Sequence, residues 1–191
     1  MSPPEPTSRR LSGGPSALVQ FHCDETEYNE MASLWLIGEE GAIKQLYNRS
    51  ASKRNAFSIK TLFAFVAVYI VLSGCTGGLA IPFGTFVPNL FVGAALGRAF
   101  ALIVQDELGV SGLSEPGTYA LIGAGSMLGG YTRMTMTVVV MAIEASGDAS
   151  VVVPLMLAVQ AARFVATMLT DCYDEKMMEL RNIPFLHDEC R

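Results

Sequence analysis

The chain has 191 residues, 51% of them hydrophobic and 16% charged, with a mean hydropathy of +0.38. It is too apolar for an ordinary soluble domain of this length, and a membrane protein is the class that fits. The net charge of -5 and the lack of any cluster of Lys and Arg exclude a nucleic-acid partner, since a duplex-binding surface must replace condensed counterions.

In chain order, residues 1–17, "MSPPEPTSRRLSGGPSA", read as a flexible segment of Pro, Ser and charge, without the apolar stretch of a signal peptide. Residues 18–56 read as a polar loop with short helices, because "ETEYNEMASLWLIGEEGAIKQLYNR" carries apolar residues at helical spacing. At Phe57 the character changes. "FSIKTLFAFVAVYIVLSGCTGGLA" is apolar all round, as a buried or lipid-facing helix requires, and should end near Gly77 and Gly78. A second helix is expected over 88–105, followed by the acidic, turn-rich "DELGVSGLSEPGT", in which Pro116 sits where a first helical turn tolerates it.

The third helix, "YALIGAGSMLGG", has Gly123, Gly125, Gly129 and Gly130 to let another helix approach closely. "MTMTVVVMAIEASG" and "SVVVPLMLAVQAARFVATMLT" give the fourth and fifth, and 171–180 a shorter, more polar one running into "RNIPFLHDEC". The fold class is therefore all-α and polytopic, spanning a bilayer more than once; a soluble helical protein with a large core fits the apolar fraction less well. Most apolar segments fall short of the roughly 20 residues of a simple spanning helix. Gly and Pro interrupt them, which points to helices that stop partway across, as in transporters and channels.

Catalytic and metal chemistry find little support. Cys23, Cys75, Cys172 and Cys190 form no CxxC pair, and His22 and His187 lie at opposite ends of the chain rather than at zinc-ligand spacing. No nucleophile and base stand at catalytic spacing, so an enzyme is not expected, nor is a cofactor.

The stretch "AIPFGTFVPNLFVGAALGR" stands apart, because it breaks an apolar region with Gly84 and two prolines. In a membrane, unpaired backbone amides are costly unless protein or ligand satisfies them. A helix beginning at mid-depth gathers several such amides at the positive end of its dipole, and an anion is their natural partner. Gly84 frees the turn, Pro88 takes an early helical position, and the N–H groups of Thr85 and Phe86 lie just ahead. Partial charges hold an anion without trapping it, which conduction needs. A Gly-Pro kink relieved by neighbouring helices explains the same residues, and from chemistry alone both readings stay open.

"GTFVP", Gly84–Pro88, resembles the G-x-F-x-P motif of the CLC family of chloride channels and chloride/proton exchangers. "FHCDETEYNEMASLW", "GAALGR", "LGGYTRMTMT" and "RNIPFLH" resemble further family segments in the same order, so the likeness runs over nearly the whole chain after Leu18. It implies a CLC-type bundle of tilted and broken helices over 57–180, the C-terminal half of the membrane domain from about helix K to helix R, with 181–191 opening the cytosolic linker.

The resemblance also implies a site. Anion binding falls on the motif Gly84, Thr85, Phe86, Val87 and Pro88, with chloride, or nitrate, on the amides of Thr85 and Phe86. A tyrosine of the last helix donates its hydroxyl to the same anion. Tyr173 matches it with a one-residue insertion; without that insertion the place falls on Asp174, whose carboxylate would repel the anion. The family assembles as homodimers, here through the 133–170 helices, with Glu144 and Arg163 near the interface or helix ends and Glu144 in a paired structural role.

Absent from the chain are the family's G-S-G-x-P and G-K-x-G-P motifs, its internal proton glutamate and its CBS domains, so the chain is expected to be a fragment with half a pore. A non-conducting membrane subunit or interaction partner is the alternative function. Asn48-Arg49-Ser50 is a glycosylation sequon, in a loop that faces outside or the lumen in the family. Likeness of "EYNEMASLW" and "IPFLH" to intracellular eukaryotic members points to an organelle membrane.

Overall fold

A computed structural model describes residues 8–10, 27–47, 57–77, 84–106, 115–147, 149–170 and 172–181. The chain divides into two units, Met1–Ala124 and Gly125–Arg191, each considered by itself.

In the first unit a short antiparallel ribbon pairs β1 (Ser8–Arg10) with β2 (Glu27–Asn29), Arg9 opposite Tyr28. β1 lies within the segment read as flexible, and three-residue strands leave no alternation for a sequence to show. β2 runs directly into α1 (Glu30–Leu36), because the Asn29 side chain accepts the N–H groups of Met31 and Ala32 at 3.1 and 3.2 Å and caps the helix. After α2 (Glu39–Tyr47) comes α3 (Ile59–Gly77), which ends at the glycine that the sequence marks.

α4 (Phe86–Asp106) and α5 (Pro116–Thr132) follow, the latter with Pro116 at its first position as expected. α4 begins two residues ahead of the expected start at Pro88, so Pro88 occupies the third position of the first turn. Proline is tolerated there for the same reason as at the first position: that N–H has no partner within the helix.

The core of this unit packs α2, α3 and α4 through Leu46, Phe57, Leu62, Phe65, Phe91 and Ala95. Phe65 stands 4.8 Å from Phe91 and 5.2 Å from Trp35, ring centre to ring centre. Such aromatic pairs add about 0.5–1.5 kcal/mol each beyond the area they bury.

Two buried charges fasten helix ends. Glu30 is 1% exposed, and its Oε2 accepts the N–H of Ser58 at 2.7 Å, at the start of α3. Arg98 is 0% exposed on α4, where its Nη1 donates to the carbonyls of Leu46 at 2.7 Å and Gln45 at 3.1 Å. Those carbonyls close α2, and the guanidinium lies 5.6 Å from the Phe57 ring centre. A carboxylate at a helix start and a cation at a helix end each match the dipole they meet. Beside this contact, burial pushes the hydroxyl of Tyr47 well above the ordinary tyrosine range and keeps it neutral.

α4 and α5 cross at glycines. A Cβ on Gly97 would come within 2.2 Å of the Tyr119 carbonyl oxygen, and one on Gly123 within 2.5 Å of the Gly93 oxygen. The backbones themselves are in contact, which only residues without side chains permit.

In the second unit, the later glycines of α5 make room for side chains of α7 (Val152–Leu169), Gly125 for Leu155 and Gly129 for Val159. α6 (Met136–Ser146) ends on Gly147 in the left-handed conformation, φ 65°, with its N–H on the Ile143 carbonyl at 2.8 Å. A 3-10 turn, Ala149–Val151, leads into α7, and α8 (Tyr173–Leu180) follows. The fold is thus helical, and three stretches, Ile59–Thr76, Phe86–Gln105 and Ala149–Leu169, are long and apolar enough to cross a membrane. α3 leaves Val71 and Leu72 exposed, and α7 leaves Leu157, Phe164 and Met168 exposed, as apolar surroundings would favour.

Replacing Gly97 with alanine is expected to lower stability by about 1–3 kcal/mol or more through that clash. Gly74→Ala, where a Cβ meets nothing within 4 Å, should be neutral or gain up to about 1 kcal/mol from helix propensity. Thermal melting of the detergent-solubilised protein compares the two. Arg98→Met should cost about 2 kcal/mol or more by leaving the α2 carbonyls without their donor, with Arg98→Lys recovering part, in the same melting assay.

Candidate functional site

The motif residues expected to hold an anion occupy the first turn of α4. Gly84 is exposed ahead of the helix, Thr85 is half-buried at the capping position, and Phe86 is the first helical residue. Phe86 and Val87 are 42% and 38% exposed, whereas Pro88 is buried. The side chain before the helix and those at its start thus leave the turn open, while the proline anchors it.

The Thr85 carbonyl accepts the backbone N–H of Asn89 at 3.3 Å, the first rung of the helix, and also Nδ2 of Asn89 at 2.8 Å. With its carbonyl held from both sides, Thr85 has a fixed peptide orientation. Pro88 brings no N–H to the turn, so the amides that can face a ligand are those of Thr85, Phe86 and Val87. Among the described residues no protein acceptor meets these three amides, in contrast to the start of α1, where Asn29 takes two. Three donors that meet no acceptor among the described residues, at the positive end of a 21-residue helix, can bind an anion by partial charge alone.

Tyr173 stands at the first position of α8, in the second unit, after the capping residue Cys172. Asn48 and its sequon lie outside the described residues. Glu144 is exposed on α6, and Arg163 is exposed on α7, where its carbonyl accepts the Thr167 hydroxyl at 2.8 Å. Among the described residues no three His, Cys, Asp or Glu side chains gather to hold a metal ion. Asn89, which sets the cap carbonyl, is a residue of this turn that the sequence reading missed; its signal is the amide side chain four residues after Thr85, one helical turn on.

A long apolar helix that opens within G-x-F-x-P and crosses its neighbour at glycines, one of three stretches long and apolar enough to cross a membrane, defines a helical membrane protein. The profile of the voltage gated chloride channel family matches residues 26–167, and the chain belongs to this family. It is 33% identical over 180 residues to the human H(+)/Cl(-) exchange transporter 7, covering 94% of this chain and 22% of that protein. Chloride channel protein D of Dictyostelium discoideum is 33% identical over 174 residues, 90% of this chain and 17% of that one. Chloride channel protein CLC-d of Arabidopsis thaliana is 33% identical over 172 residues, 88% and 21%. The chain therefore spans about a fifth of the length of the curated relatives it matches. A crystal structure of a eukaryotic CLC transporter superposes with a TM-score of 0.65 at 22% identity, over 80% of this chain and 27% of that one, and shows that the fold is shared.

Asn89→Leu should cost about 1 kcal/mol through loss of the bond to the Thr85 carbonyl. Melting in detergent, compared with Asn89→Asp, which cannot donate from that position when ionised, is the check.

Proposed function

We propose that this chain forms the C-terminal half of the anion pathway of a CLC transporter, and that chloride, or nitrate, binds to the backbone amides of Thr85 and Phe86. The observation that carries the proposal is the first turn of α4, whose donors meet no protein acceptor among the described residues. The anion is selected by dipoles fixed in place before it arrives, with no covalent step. Because each donor carries only a partial charge, binding is strong enough to strip some hydration and weak enough to release.

Tyr173 adds a hydroxyl donor to the same anion. The match of this residue to the family's tyrosine, and the opening of α8 on it, support this role. The protein acts as a homodimer through the 133–170 helices, a reading that the exposed apolar side chains Met136, Val140, Val153 and Leu157 support. An organelle membrane is its place, on the likeness of "EYNEMASLW" and "IPFLH" to intracellular members.

The test removes one amide. Phe86→Pro deletes the N–H at a first helical position, where proline is tolerated, and Phe86→Leu keeps it. In the native gene product, chloride flux through reconstituted vesicles should fall about tenfold or more for Phe86→Pro, the loss of one hydrogen bond to a charged partner, while Phe86→Leu stays near wild type. Equal flux in the two variants overturns the proposal, as does a native product that conducts no anion.

A further inference from the structure

The backbone of Arg133 lies in the left-handed region, φ 61°, the one non-glycine residue among those described to do so. α6 makes the same kind of turn with Gly147 at φ 65°. For a residue with a Cβ this conformation costs about 1–2 kcal/mol, so glycine is the economical choice at both helix ends. Arginine at the end of α5 therefore implies that its side chain offsets the strain.

The side chain reaches the last turn of α7. Nη2 donates to the carbonyl of Ala166 at 3.0 Å and to that of Thr170, and Nη1 donates to the hydroxyl of Thr167. The Ala166 carbonyl also takes the N–H of Thr170 at 3.0 Å, and the Thr167 hydroxyl donates onward to the Arg163 carbonyl. A planar cation thus gathers the terminal groups of α7, where the helix dipole favours positive charge.

Thr170 caps α7, and Tyr173 opens α8 three positions later. A span this short reaches no more than about 11 Å fully extended. Where α7 ends therefore limits where the first residue of α8 can be.

We infer that Arg133 is a positioning residue for Tyr173: by clamping the C-terminus of α7 from the end of α5, it fixes the point from which α8 departs and so the place of the tyrosine in the anion pathway. The inference rests on the proposed anion contact of Tyr173.

The test compares nitrate-to-chloride flux ratios in vesicles carrying the native gene product, normalised to protein content, for Tyr173→Phe, Arg133→Gly, Arg133→Lys, Thr167→Val and the Arg133→Gly/Tyr173→Phe double variant. Arg133→Gly suits the purpose because glycine relaxes the backbone while deleting the clamp. Tyr173→Phe is expected to move the ratio about tenfold, one charged hydrogen bond. Arg133→Gly should move it in the same direction, Arg133→Lys and Thr167→Val less, and the double variant no further than Tyr173→Phe alone. A wild-type ratio in Arg133→Gly beside a shifted one in Tyr173→Phe, with only protein content or melting temperature reduced, makes Arg133 merely structural and overturns the inference. An additive double variant overturns it too. If Tyr173→Phe leaves the ratio unchanged, the tyrosine contact itself fails, and the inference fails with it.

Discussion

A helix that stops among apolar neighbours must find partners for its last carbonyls, and the bond from Arg98 to the end of α2 is where the first unit meets this demand. The guanidinium sits in the middle of α4, so satisfying α2 also ties α4 to it. Phe91 and Ala95 pack on the same side, and Gly93 and Gly97 bring the α5 backbone into contact with another face. With its middle held by a charge and by glycine contacts, α4 has little freedom to slide or turn. Its first turn, eleven or so residues away along a stiff rod, inherits that fixity. The amides of Thr85 and Phe86, the proposed anion donors, are thereby held in place before any ligand arrives.

The same device recurs in the second unit with Arg133 on α7. In both places an arginine serves a helix terminus far away in sequence, 52 residues for Leu46 and 34 for Thr167. Lysine would offer one point of charge, whereas the guanidinium fork serves two or three acceptors at once. These two whole charges serve permanent structural contacts, and the site proposed at α4 offers only partial ones. On the proposed function that division is apt, because a permanent cation in an anion pathway would hold the anion too long.

Much of this architecture was legible in the sequence, and the reasons are local. The apolar run after Lys60, the glycines at 77 and 78 and the proline at 116 each act within a few residues, so α3 and the start of α5 follow from them directly. The G-x-F-x-P stretch marked a helix start, though Pro88 at the third rather than the first position could be settled only by where the chain turns. The glycines of α5 announced close packing, but not that Gly123 meets α4 while Gly125 and Gly129 meet α7. What stayed hidden depends on pairing across long separations. Arg98 and Arg133 are isolated cations in apolar segments, and nothing near them names α2 or α7. The Ser8–Arg10 ribbon escaped for a related reason, since three residues of polar chain carry no period.

Glu30 gives the start of α3 a different character from the start of α4. Both helices present the same backbone dipole at their first turn, yet α3 carries a resident carboxylate against the Ser58 amide while α4 carries none among the described residues. The Glu30 carboxylate repels a small anion from the first of these helix starts, and leaves the second as the place for the anion site proposed above. A single fixed negative side chain thus acts as an address label: it turns two equivalent electrostatic wells into one, and on the proposed function it removes a decoy site that would compete for the anion.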